Sequence, residues 1–215
     1  MTLKRITAAT EQAVLLEEFK AHARIDSTDE DGDVQLKLDA AEEYIETDEL
    51  GDRALITSTW DLYLDAWPCK PYIELPKGNL QSVAFIKYTV EDGTVVTWDA
   101  TNYKLSGTYT VSNLGASIEG DGENDARVGR VWLRPNRSWP TATLDTGEPI
   151  VIRFTCGWEK ASVVPAKIKA AIEMLAAHFY RNREAVTVGS TTAIESKPLA
   201  LAVSSLCEKY VLKRF

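Results

Sequence analysis

Two histidines, three cysteines and two methionines in 215 residues remove several classes of chemistry at the outset. Cys69, Cys156 and Cys207 are odd in number and far apart, with no CxxC and no Cys/His ligand spacing, so neither a disulfide framework nor a zinc site is indicated. Buried reduced thiols are expected instead. Charge breaks even the apolar run AIEMLAAHFY well before the roughly 18 residues of a membrane span. The opening MTLKRITAATEQ lacks the apolar stretch of a signal peptide, which points to the cytoplasm. The chain also has no GxxxxGK(S/T) phosphate loop, GxGxxG dinucleotide turn, GxSxG nucleophile elbow or HExxH zinc helix.

What is present is an ordinary globular composition, 45% apolar and 26% charged. A chain of this length buries about 70% of its unfolded surface. The net charge of −8 is unevenly placed. Twelve acids face Lys37 alone between Asp26 and Asp52, whereas Lys160 to Phe215 holds nine Lys or Arg against four Glu. Opposite charges at the two ends of a chain can meet within a subunit or between neighbours. A nucleic-acid face is poorly supported at this net charge.

Periodicity divides the chain into three. Leu16, Phe19 and Ala23 give a short helix over Leu15 to Ala23. Ser27, Thr28 or Asp29 can cap a second helix whose stripe is Val34, Leu38, Ala41 and Ile45, ending near Leu50 before a left-handed Gly51. From Ala54 the period becomes 2: Ile56, Trp60, Leu62 and Leu64 share one face, Thr59 and Asp61 the other. SVAFIKYTVEDGTVVTW reads as a hairpin turning at Asp92 and Gly93, with NYKLSG, TYTVSN, GRVWLRP and PIVIRFTCGW as further strands and GASIEGDGENDARVG as a long loop. Helical spacing returns at Ile168, Ile172, Leu175 and Phe179 after Pro165, and again beyond Pro198. The fold expected is α+β: an N-terminal helical pair over residues 1–53, an inserted antiparallel β domain over 54–158, and C-terminal helices over 159–215 completing a small bundle.

His178 stands beside Phe179, Tyr180, Arg181 and Arg183, but the sequence supplies no nucleophile or orienting acid for it. It reads as a packing or hydrogen-bonding residue, as does His22. Asp29, Asp31 and Asp33 have the 1,3,5 spacing of calcium ligands. An EF-hand then needs Gly at its sixth position and Glu at its twelfth, where this chain has Val34 and Ala40. Acids favouring a helix N-terminus explain them.

As an ordered set, LKRIT, VLLEEFKAHARID, GDRALITSTWDLYLDAWP, IVIRFTCGW and VPAKIKAAIEMLAAHFYRNREAV resemble the head-tail connector, or adaptor, family of tailed bacteriophages and gene transfer agents. The resemblance covers nearly the whole chain, with gaps at residues 106 to 127 and 186 to 197. It implies a non-enzymatic structural virion protein without cofactor or metal. Such a protein forms a ring, of twelve copies in the virion and monomeric when free, between the portal and a stopper or tail-completion protein. The location implied is the virion neck, reached from the host cytoplasm, with DNA passing through unread and no membrane involved.

A head-to-tail ring needs two different matching faces. On the resemblance, Arg181, Arg183, Lys209, Lys213 and Arg214 are candidates for subunit or portal contact, opposite Asp39, Glu42, Glu43 and Glu46. Asp29, Glu30, Asp31 and Asp33 are candidates for an acidic channel wall along which phosphates slide. Two other classes stay open. One is a carbohydrate-binding or adhesin-like module using Trp98, Trp132, Trp139 and Trp158. The other is a hydrolase whose dispersed carboxylates stand about 5 to 9 Å apart.

Overall fold

The computed structural model describes residues 1–108, 128–182 and 192–212, with 192–198 described by backbone alone. The TYTVSN strand, most of the GASIEGDGENDARVG loop, and Arg183, Lys213 and Arg214 lie outside the described residues. The class is α+β. Helix α1 spans Leu16–Ala23 and α2 spans Asp31–Tyr44; α3 spans Ala166–Arg181 and α4 spans Thr192–Cys207. Strands β1 (Thr2–Thr7), β2 (Ser58–Leu64), β3 (Tyr72–Leu75), β4 (Leu80–Thr89), β5 (Val95–Thr97), β6 (Tyr103–Ser106), β7 (Gly129–Leu133) and β8 (Ile150–Cys156) form two antiparallel sheets.

The helices share one core because each carries apolar residues at three- and four-residue spacing. Phe19 from α1, Val34, Leu38 and Ala41 from α2, Ile168 and Ile172 from α3, and Val203 and Cys207 from α4 are all buried together, with Trp158 in the same cluster. Residues from both ends of the chain therefore build the bundle. Among the described residues, no helix is long and apolar enough to cross a membrane.

Three local details differ from the sequence expectation. None of Ser27, Thr28 and Asp29 caps α2: Glu30 holds the cap position without a side-chain bond, because Ser27 and Asp29 bond to each other. Past Tyr44, α2 continues as a π-helical turn, Ile45–Glu49, before Gly51 closes it at φ +70°. That turn keeps Ile45 and Leu50 both in the core. Helix α4 begins at Thr192, six residues before Pro198, since Ala, Glu, Ser and Lys in the intervening stretch support helix as well as loop.

The larger sheet has the order β1-β2-β8-β4-β5, and the smaller has β3-β7-β6. Leu62, Ile86, Ile152 and Phe154 from the first meet Ile73, Leu75 and Val131 from the second in one buried cluster. Strand β1, which lay in the N-terminal stretch assigned to helices, is the outermost strand beside β2. The period-2 reading placed Asp61 on the solvent side of β2, yet it is buried beneath the Arg153 guanidinium.

Helical and β layers join at Arg53, which is fully buried. Its guanidinium lies 4.5 Å from the centre of the Trp158 ring and donates to the Tyr210 carbonyl at 2.7 Å and to the Asn79 side chain. The Leu212 amide closes onto the Leu50 carbonyl at 2.9 Å, and Leu212 packs against Gly51 and Gly78. Gly157, at φ +108°, is required here because a Cβ would sit 2.4 Å from the Ile56 carbonyl oxygen.

Candidate interface surfaces

The acids of α2 divide by which way the helix turns them. Val34, Leu38 and Ala41 face the core, so residues about half a turn away, Leu36, Asp39, Ala40 and Glu43, face outward, and all four are exposed. Asp39 accepts from the side chains of Gln12 and Gln35. Glu43 has no ion pair among the described residues.

Glu42 and Glu46 are turned inward, unlike the expected contact residues. Glu42 accepts the Ala13 amide at 3.1 Å, while its other oxygen is buried with no hydrogen-bond partner. Burial pushes its carboxyl up to about 7, the Ala13 bond opposes this, and nearby Glu46 and Asp39 add to it. Glu46 is also raised by burial, against the pull of Lys77 at 3.6 Å. Lys77 is itself buried, pairing with Asp52 and lying 4.3 Å from the Trp60 ring centre. These two glutamates bind the protein to itself.

The DEDGD acids are likewise drawn inward in part. Asp31 pairs with the buried Lys20, Asp33 lies 3.6 Å from Lys37, and Glu30 accepts the Tyr180 hydroxyl at 2.7 Å. Asp29 is exposed and, among the described residues, bonds to Ser27. The Glu30–Tyr180 bond sets the start of α2 beside the end of α3. Arg181 follows at that end and is exposed, as is Lys209.

The histidines contact nearby side chains, and the three cysteines differ in exposure. The His178 Nδ1 lies 3.1 Å from the Asn182 side-chain nitrogen, and His22 lies 3.5 Å from Glu173. Cys156 and Cys207 are buried as expected, but Cys69 is exposed, because it sits in the Pro68–Pro71 turn outside both cores. Among the described residues, no group of three or more His, Cys, Asp or Glu is placed to hold a metal ion.

Most of the tryptophans are packed. Trp158 is fully buried, and Trp98 stands 5.2 Å from Trp139 and 5.6 Å from Trp67, which stacks on Trp139. Trp132 differs. On the three-stranded sheet, Ile73 and Val131 point inward, while Tyr72, Trp132 and Lys104 lie side by side on the outward face, in register across β3, β7 and β6. Glu74 and Arg130 are the next pair along and join at 2.8 Å. Sequence reasoning missed this face because its residues come from three separated segments; the period-2 pattern of each strand was its only signal.

Residues 13–91 match the family model of phage gp6-like head-tail connector proteins. The whole fold has a counterpart as well. It superposes on a chain of the neck of an empty gene transfer agent (GTA) particle, computed with C6 symmetry, with a TM-score of 0.73 and 24% identity; the match covers 100% of this chain and 97% of that one. A chain of the virion of the native particle matches at TM-score 0.72 and 22% identity, again covering 100% of this chain and 97% of that one. The neck of the native particle computed with C12 symmetry gives 0.70 and 22%, with the same coverage. No curated protein matches the chain.

Proposed function

We propose that this chain is a head-tail connector subunit, a structural piece of a ring in the neck of a phage-like particle. The observation that carries this is the fold shared end to end with neck chains of the gene transfer agent particle, at a TM-score of 0.73. The family match over residues 13–91 supports it independently from sequence. The same likenesses support reading it as a structural protein.

In this reading the copies form a ring of twelve between the portal and a stopper or tail-completion protein, and DNA passes through without being read. The helices within residues 1–53 and 159–215 form the bundle, and 54–158 are the β insertion, which β1 from the N-terminal stretch joins. Asp39 and Glu43 present the acidic side of the copy-to-copy contact. Arg181 and Lys209, with Arg183, Lys213 and Arg214 beyond the described residues, offer a basic surface to the portal. Asp29 is the best placed of the DEDGD acids to line a channel, since Glu30, Asp31 and Asp33 are engaged within the subunit.

The test is to mix the purified chain with purified portal rings from the same particle and image the complex. A ring of this protein seated on the portal is expected. Portal rings that remain bare at micromolar chain would overturn the reading.

A further inference from the structure

A head-to-tail ring joins two different faces of each subunit; with the outward acids of α2 as one, the complement is a cationic face elsewhere on the subunit. The C-terminal end of α3 does not provide one, because the Glu30–Tyr180 bond places Arg181 beside the N-terminal end of α2 itself. The outward face of the three-stranded sheet does. Tyr72 and Trp132 stand 4.6 Å apart at its centre. Arg130 lies 5.0 Å and Lys70 5.4 Å from the Tyr72 ring centre, and Lys104 sits directly beside Trp132 in register. Three cations thus stand about two aromatic rings, and Glu74 pairs with Arg130.

Lys70 and Lys104 are exposed and form no ion pair among the described residues. On α2, Leu36 is 59% exposed and is flanked by Asp39, Ala40 and Glu43. Each surface has an apolar centre and a charged border, of opposite sign, which is the anatomy of a specific interface. We propose that the outward face of α2 in one copy seats on the Tyr72–Trp132 sheet face of the next, with Leu36 against the rings and Asp39 and Glu43 against Lys104 and Lys70. This rests on the ring reading above and names the contact that closes it. The occupant is a second copy of this chain because the outward acids of its own α2 complement the lysines of the sheet face.

The experiment is a charge swap in the full chain. One variant carries Lys70→Glu with Lys104→Glu; the other carries Asp39→Lys with Glu43→Lys. Each alone sets like charge against like and is expected to lower occupancy of portal rings at least tenfold. An equal mixture restores opposite charges at every contact of an even-numbered ring, and occupancy returns to near the wild-type level. All four side chains are exposed, and unchanged thermal melting serves as the control for folding; since Asp39 also accepts from Gln12 and Gln35, Glu43→Lys alone replaces the acid reversal if its melting falls. Lys70→Gln with Lys104→Gln, expected to give a smaller loss, replaces the reversal if its melting falls. Wild-type rings with either variant assembling normally, or a mixture no better than its components, would overturn this contact and leave the ring reading standing. If the wild type itself forms no ring, both fall. Loss of duplex DNA binding in the lysine variant with normal assembly would assign the sheet face to DNA and also overturn the proposal.

Discussion

Asp61 and Arg153 close a two-pronged ion pair between directly paired residues of β2 and β8, with Nε to Oδ1 at 2.8 Å and Nη2 to Oδ2 at 2.7 Å. The Asp61 side chain is 3% exposed and that of Arg153 is 35% exposed. The carboxylate is therefore desolvated, while its partner keeps access to water.

Asp61→Ala should consequently cost stability mainly through the lost charge-assisted bonds, by about 1–3 kcal/mol. Urea unfolding checks this. A double variant with Arg153→Met should cost less than the sum of the two single changes, because each single change leaves the other partner unmatched.

Glu42 gives the molecule a particular response to pH. In the folded chain its carboxyl holds its proton up to about 7, against 4.5 as the ordinary value. The folded state binds that proton more tightly than the unfolded one, so the stability it contributes is full below about 4.5 and is lost as pH rises toward 7. Glu42→Gln keeps a neutral side chain there throughout. Its stability should exceed that of the wild type at pH 8 by about 1–2 kcal/mol and show less decline between pH 5 and 7, measured by thermal melts across that range.

Arg53→Met removes the donor that joins Asn79 and the Tyr210 carbonyl at the junction of the two layers. Leaving those acceptors unmatched should cost about 2–4 kcal/mol. The loss should appear first as faster proteolysis near residues 208–212, because Arg53 bonds directly to the Tyr210 carbonyl there.

Gly157→Ala forces a side chain into the left-handed region and toward the Ile56 carbonyl. A loss of about 2–4 kcal/mol is expected by chemical unfolding. Gly93→Ala, where a Cβ meets nothing within 4 Å, carries the backbone cost without a clash and should lose about 1 kcal/mol.

Thiol titration of the folded protein should modify Cys69 within minutes and leave the other two untouched until denaturant is added. Burial pushes the Cys207 thiol up to about 12 and raises Cys156 further, so neither supplies thiolate at neutral pH.

The helical stripes and the paired strands could be read from spacing alone, because Ile168, Ile172 and Leu175, or the alternation through β8, report one buried face each. Interfaces between distant segments could not. Whether Glu42 points to solvent or to Ala13 depends on where residues 8–14 run, and no local period encodes that path. Asp61 misled for the same reason: a polar residue in an alternating strand reads as exposed unless its partner, 92 residues away, is known. The α2 acids could be singled out as a group from their density in the sequence. Separating Asp39 and Glu43 from Glu42 and Glu46 required the helix to be set against its neighbours.

The hydrogen bond from Leu212 to Leu50 spans most of the chain, and Val203 and Cys207 complete the same helical core. During synthesis, α1 and α2 wait with one side uncovered until α4 leaves the ribosome, whereas the described strands from Thr2 to Cys156 have emerged well before then. Native contacts of such long sequence separation form slowly, so the sheets have time to assemble first. The acidic helix is thus held in place by residues made long after it.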